Sequence, residues 1–142
     1  MFSGEFTYET TIHDKKENVW EFFLYTRNLE KLSGFPKVKV VDGERTEEGE
    51  TIQLQIKGGL VSPVWEVRIT EVNEGNYFID KGEKLPFPFI TWQHIHRFIE
   101  EDNMTIMKDE VAYTSWLPPA VVKTGLKRMF KDREKKIKTI FS

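Results

Sequence analysis

The chain has 142 residues, the length of one ordinary domain. Its 21 Lys and Arg stand against 23 Asp and Glu, a net charge of −2, so no global field favours a polyanion and the balance argues against nucleic acid as a partner. Cysteine is absent, which removes disulfides, thiol nucleophiles and cysteine metal sites.

Met1-Phe2-Ser3-Gly4-Glu5 shows no signal-peptide pattern. No uncharged apolar run approaches the roughly 18–20 residues a bilayer span requires. The expectation is a cytoplasmic protein without integral membrane association. Eleven Phe, four Trp and four Tyr exceed what a minimal core needs, so either the core is aromatic or some rings line a space for a guest.

Glu5 to Ile12 alternates, with Phe6, Tyr8, Thr10 and Ile12 on one face, and predicts a strand with one wet side. Asp14-Lys15-Lys16-Glu17 has the form of a capping box, followed by Val19, Trp20 and Phe23 at helical spacing. A second short helix carries Leu29 and Leu32 and ends near Gly34-Phe35-Pro36. The period then becomes two. Val38 and Val40, then Ile52, Leu54 and Ile56, then Trp65, Val67 and Ile69 are alternating sets separated by Asp42-Gly43, Glu48-Gly49 and Gly58-Gly59. Gly58-Gly59 precedes no helix and reads as a turn or bulge rather than a phosphate loop.

Asn73-Glu74-Gly75-Asn76 turns the chain into a strand at Tyr77–Lys81. Leu85-Pro86-Phe87-Pro88-Phe89 reads as an extended connection, because two prolines remove ladder donors. Strands at Thr91–Ile99 and Met104–Ser115 complete a count of seven. From Pro119, Val122, Leu126, Met129, Arg133, Ile137 and Ile140 form one helical stripe, widened by Phe130 and Phe141. That helix carries eight Lys and Arg against Asp132 and Glu134, a surplus expected on a solvated face. Consecutive strands with short connections predict an α+β fold, an antiparallel sheet with the last helix over its concave face.

The chemistry concentrates in the last hairpin. Asp102-Asn103 suits a two-residue loop, because both residues tolerate left-handed backbone. That loop pairs Phe98 with Met107, His96 with Asp109, His94 with Val111 and Trp92 with Tyr113, all on the inward face. A buried carboxylate needs a partner, and His96 is expected to be the partner of Asp109, with Arg133 as a second. Such a pair most often satisfies only its own hydrogen bonds. A tuned pair can also transfer protons, with His96 as acid/base and Asp109 as its orienter. His94-x-His96 with Asp109 offers metal-type donors, but strand His-x-His is a weak pattern and no metal is assigned. His13, beside Asp14, is expected at the surface.

These residues resemble a known family. The element order is similar to the helix-grip, START-like superfamily called SRPBCC. The run from Pro88 to Phe98 resembles the PFxxWxHxHxF motif of a bacterial branch related to polyketide cyclase/dehydratase-like proteins. Met107 to Tyr113 fits its MxDxVxY run, and Met129-Phe130-Lys131-Asp132-Arg133 its helix segment. The hairpin loop lacks the usual glycine, and Leu117-Pro118-Pro119 replaces a glycine-rich stretch.

The resemblance implies a curved seven-stranded sheet gripping the terminal helix, with a cavity for a small hydrophobic or amphipathic, lipid- or polyketide-like ligand and no cofactor. The expected lining joins Trp65, Phe87, Phe89, Leu126, Met129 and Arg133 to Trp92, His94, His96, Phe98, Met107, Asp109, Val111 and Tyr113 of the hairpin. A cyclase/dehydratase- or hydrolase-type enzyme using the His96–Asp109 dyad is the alternative, and a protein-interaction accessory module a second. Superfamily membership supplies no shared reaction and leaves the oligomeric state open.

Overall fold

The computed structural model describes residues 1–34, 37–57, 60 and 62–141. Phe35-Pro36 and the Gly58-Gly59 turn therefore lie outside the described residues. The elements follow the expected order: β1 (Phe2–Ile12), α1 (Lys16–Leu24), α2 (Asn28–Leu32), β2 (Lys37–Asp42), β3 (Thr51–Lys57), β4 (Val64–Asn73), β5 (Tyr77–Lys84), β6 (Phe89–Glu101), β7 (Met104–Ser115) and α3 (Pro119–Ile140).

Among the described residues the strands form one seven-stranded antiparallel sheet in the order β1-β7-β6-β5-β4-β3-β2. Only β1 departs from pairing with a sequence neighbour: it lies at the edge beside β7, paired from Phe2↔Ser115 to Ile12↔Thr105. Register shifts interrupt β2/β3 and β4/β5. Bulges of this kind bend a sheet, and the bend gives the concave face that receives the helices. This is the helix-grip fold.

Two helices cover one half of that face. On α1, Trp20 and Phe23 meet Phe98 of β6 with ring centroids 5.1 and 5.5 Å apart. Phe130 of α3 packs 5.5 and 5.6 Å from Phe6 and Tyr8 of β1, and the Tyr8 hydroxyl donates to Glu134 at 2.8 Å. Val122, Leu126, Phe130 and Ile137 are the buried stripe of α3. Ile140, expected on that stripe, is exposed, and Phe141 instead closes the helix end against Phe22 at 5.3 Å.

The capping box does not form. Helix α1 starts at Lys16, with Lys15 as its cap residue and no side-chain cap. The Asp14 carboxylate accepts from the Lys15 N–H and the Asn18 amide, both at 2.7 Å, and this local ring competes with capping. The last hairpin has the expected register, Glu101↔Met104 through Trp92↔Tyr113, with Asp102 and Asn103 at φ of 50° and 63°. Both residues take the left-handed region without glycine.

Candidate functional site

Alternation along three neighbouring strands builds the site. On β5 it turns Phe78 and Asp80 inward, on β6 Trp92, His94, His96 and Phe98, and on β7 Met107, Asp109, Val111 and Tyr113. Pairing sets Asp80 opposite His94 and Phe78 opposite His96 on one side, and Asp109 opposite His96 on the other. Two histidines are thus flanked by two carboxylates, all four buried.

The hydrogen bonds cross the register. His96 Nε2 bonds Asp80 Oδ2 at 2.6 Å, and His94 Nε2 bonds Asp109 Oδ1 at 2.8 Å. The directly opposed pairs are longer, 3.9 Å for His94 to Asp80 and 3.6 Å for His96 to Asp109. The expected His96–Asp109 hydrogen bond is therefore corrected: His94 is the partner of Asp109, and Asp80 is the partner of His96. Diagonal neighbours lie within reach of ring side chains, whereas a directly opposed imidazole overshoots a short carboxylate. Trp92 Nε1 donates to Asp80 Oδ1 at 3.2 Å, holding the carboxylate from its other side. Phe78, His96 and His94 form a three-ring stack with centroid spacings of 4.0 and 3.6 Å.

This packing sets the charges. Burial works against ionisation of both carboxylates, but their partners prevail. The Arg133 charge, the His94 hydrogen bond and the histidine charges hold Asp109 down to about 2. The His96 hydrogen bond, the histidine charges and the Trp92 N–H keep Asp80 below the usual carboxylate range. Burial, with the neighbouring His94 charge, lowers His96 to about 4 against the pull of Asp80 and Asp109. A neutral His96 that donates from Nε2 to Asp80 carries a lone pair at Nδ1, and that atom has no hydrogen-bond partner.

Asp80, His94 and His96 bring imidazole and carboxylate atoms, the donor types of divalent transition metals, within 4.8 Å of one another. Their own hydrogen bonds occupy Asp80 Oδ2 and His96 Nε2.

Beyond the network, a cavity of about 450 Å3 lies between the sheet and α3. Ile52, Leu54, Ile56, Val67 and Ile69 of β3 and β4 form its floor. Of the expected lining, Trp65, Phe87, Phe89, Trp92, His94, His96, Leu126, Met129 and Arg133 face it. Phe87 and Val121, 72% and 53% exposed, stand at its rim.

Phe98, Met107, Asp109, Val111 and Tyr113 do not line the cavity, a correction to the expected set. Helices α1 and α3 cover that part of the face, so these side chains are core. Asp109 reaches the site only through His94, His96 and Arg133.

Asp80 is the residue that sequence reasoning missed. Its signal was the period of two running from Phe78, which puts Asp80 on the histidine face once β5 is paired with β6. His13 is exposed as expected, and Lys123, Lys127, Arg128, Lys131 and Lys135 occupy the outer side of α3.

No protein-family model matches the sequence, and no curated protein matches it. Solved structures do match along nearly the whole chain. Protein Ms6760 from Mycobacterium smegmatis is 18% identical with a TM-score of 0.80, covering 97% of this chain and 90% of that one. Protein XoxI from Bacillus cereus is 17% identical with a TM-score of 0.78, covering 97% and 95%. The major latex-like protein 151 of Panax ginseng is 11% identical with a TM-score of 0.77, covering 100% and 99%. These are proteins of the Bet v1-like, SRPBCC fold, and this chain has that fold. No helix among the described residues is long and apolar enough to cross a membrane.

Proposed function

We propose that the protein binds one small hydrophobic or amphipathic molecule between its sheet and α3. The observation that carries this reading is the cavity itself. At about 450 Å3 it falls within the roughly 300–1,000 Å3 of small-molecule sites, and its walls combine aliphatic and aromatic side chains with a few buried polar groups at one end. Aliphatic walls supply contact area, and the polar groups orient a guest. The fold shared with the major latex-like protein supports the reading at the level of architecture. A lipid- or polyketide-like body suits such walls.

Trp65 and Trp92 line the cavity with ring centroids 4.8 Å apart, so their fluorescence reports occupancy. Titration with a panel of apolar and amphipathic compounds is expected to change that emission saturably with at least one of them. A panel without any saturable response would overturn the proposal.

One observation favours catalysis as a second reading. His96 faces the cavity, is oriented through Nε2 by Asp80, and has a free Nδ1. That is the arrangement of a general base, with Asp80 rather than Asp109 as the orienting carboxylate. A cyclase/dehydratase- or hydrolase-type turnover lost in His96→Ala with ligand affinity retained would establish it. Turnover retained in that variant would eliminate it.

A further inference from the structure

Two residues that line the cavity carry buried nitrogens that lack a hydrogen-bond partner. His96 Nδ1 and the Nε and Nη2 of Arg133 are buried without a hydrogen-bond partner in the protein. They come from opposite walls, His96 from β6 and Arg133 from α3, and both residues line the cavity. The two side chains approach one carboxylate oxygen: His96 Nδ1 lies 3.6 Å and Arg133 Nη1, the remaining nitrogen of that guanidinium, 3.8 Å from Asp109 Oδ1.

Arg133 is held in place by rings rather than by hydrogen bonds. Its guanidinium carbon sits 5.3 Å from the Phe23 ring centre and 5.6 Å from that of Phe130. The approach to Asp109 balances its charge, but 3.8 Å exceeds hydrogen-bonding distance, so its donors keep their capacity. Buried donors without acceptors are costly, and a guest that supplies an acceptor recovers that cost. The titratable and charged groups around the spot are Asp80 from β5, His94 from β6, Asp109 from β7 and Arg133 from α3.

We infer that the bound molecule carries a carboxylic-acid head, with one oxygen accepting from Arg133 and the other sharing a proton with His96 Nδ1. This rests on the cavity being a ligand site. The two protein groups ask for complementary things, an acceptor at the guanidinium and a proton at the imidazole, and a carboxyl group offers both from adjacent oxygens. An ester lacks the proton. An amine brings a positive charge to Arg133. A phosphate monoester brings up to two negative charges to a place with one cation already shared with Asp109.

The test compares matched acids and methyl esters on the full chain at neutral pH: dodecanoic acid with methyl dodecanoate, and naphthoic acid with methyl naphthoate. Calorimetry or tryptophan emission gives the acid-to-ester affinity ratio. The expected result is a ratio of about tenfold or more in favour of the acid in at least one pair. Arg133→Met is expected to bring that ratio close to one. Arg133→Lys keeps the charge without the planar fork and falls between.

Esters binding as tightly as acids in the wild-type protein would overturn the head-group assignment while leaving the cavity as a ligand site. Binding by none of the four compounds would go against the ligand-site reading and the head-group assignment with it. A ratio unchanged in Arg133→Met would remove Arg133 from the assignment. The wild-type comparison decides the head group even if neither variant folds.

Discussion

His96 faces Asp109 directly across the β6–β7 hairpin, yet Asp109 takes its hydrogen bond from His94 at 2.8 Å. His96 reaches back to Asp80 on β5 at 2.6 Å. The exchange joins three strands through side chains and leaves each carboxylate with one close imidazole. It also sets the tautomer of His96, so the chemistry open to the cavity is decided on β5, the strand beside the hairpin in which His96 lies.

Removing Asp80 should be among the most damaging single changes. Asp80→Ala strands the N–H groups of His96 and Trp92 inside the protein. A loss of roughly 2–5 kcal/mol in unfolding free energy is expected, measured by urea denaturation. Asp80→Asn keeps an acceptor and should lose less. An unchanged urea midpoint in Asp80→Ala would show that the network does not support the fold.

Acid should weaken the protein in two stages. Burial lowers His96 from its ordinary 6.5 to about 4 in the folded chain, so between those values the unfolded chain holds a proton that the native state refuses. Stability is complete above pH 6.5 and falls towards pH 4, by about 3 kcal/mol at most. Asp109 acts lower: its contribution is present above 3.8 and is lost as pH drops towards about 2. Urea midpoints measured between pH 7 and pH 4 should decline, with uptake of about one proton on unfolding attributable to His96. A flat profile over that range would contradict the neutral, buried His96.

Gly125 lies inside α3 on the cavity wall, and a Cβ there meets no atom within 4 Å. Glycine within a helix loses more backbone freedom on folding than alanine does. Gly125→Ala is therefore expected to stabilise by roughly 0.5–1 kcal/mol, read as a raised Tm. A lowered Tm would mean that the space beside Gly125 is closed.

The Tyr8 hydroxyl ties the edge strand β1 to α3 through Glu134 at 2.8 Å, and burial with that contact raises its pKa to about 12. Tyr8→Phe deletes the hydrogen bond and keeps the ring against Phe130. A loss of about 1 kcal/mol is expected by urea denaturation, with little change in the fold by circular dichroism.

Much of this architecture was legible because the strand period is strict. One two-residue loop, Asp102-Asn103, settles eleven cross-strand pairs, from Glu101↔Met104 to Thr91↔Thr114, and these put the histidines and Asp109 on one face. What stayed hidden depended on strand partners distant in sequence or on side-chain reach. Asp80 gains meaning only when β5 is laid beside β6, and the crossed bonds follow from ring length rather than from register. The inner face also has two fates that alternation does not distinguish: under α1 and α3, Phe98, Met107 and Val111 become core, while Trp92 and His96 stay at the cavity. At Asp14 a local side-chain ring with Asn18 took the place of the cap that the residue pattern suggested.

Native mass spectrometry of the wild-type chain and Gly125→Leu, each equilibrated with the same apolar compound, tests the central claim most directly. The cavity account predicts a single adduct per wild-type chain and binding weaker by about tenfold or more when a leucine side chain is added at this lining position. No adduct on either protein, or equal adducts on both, would contradict it.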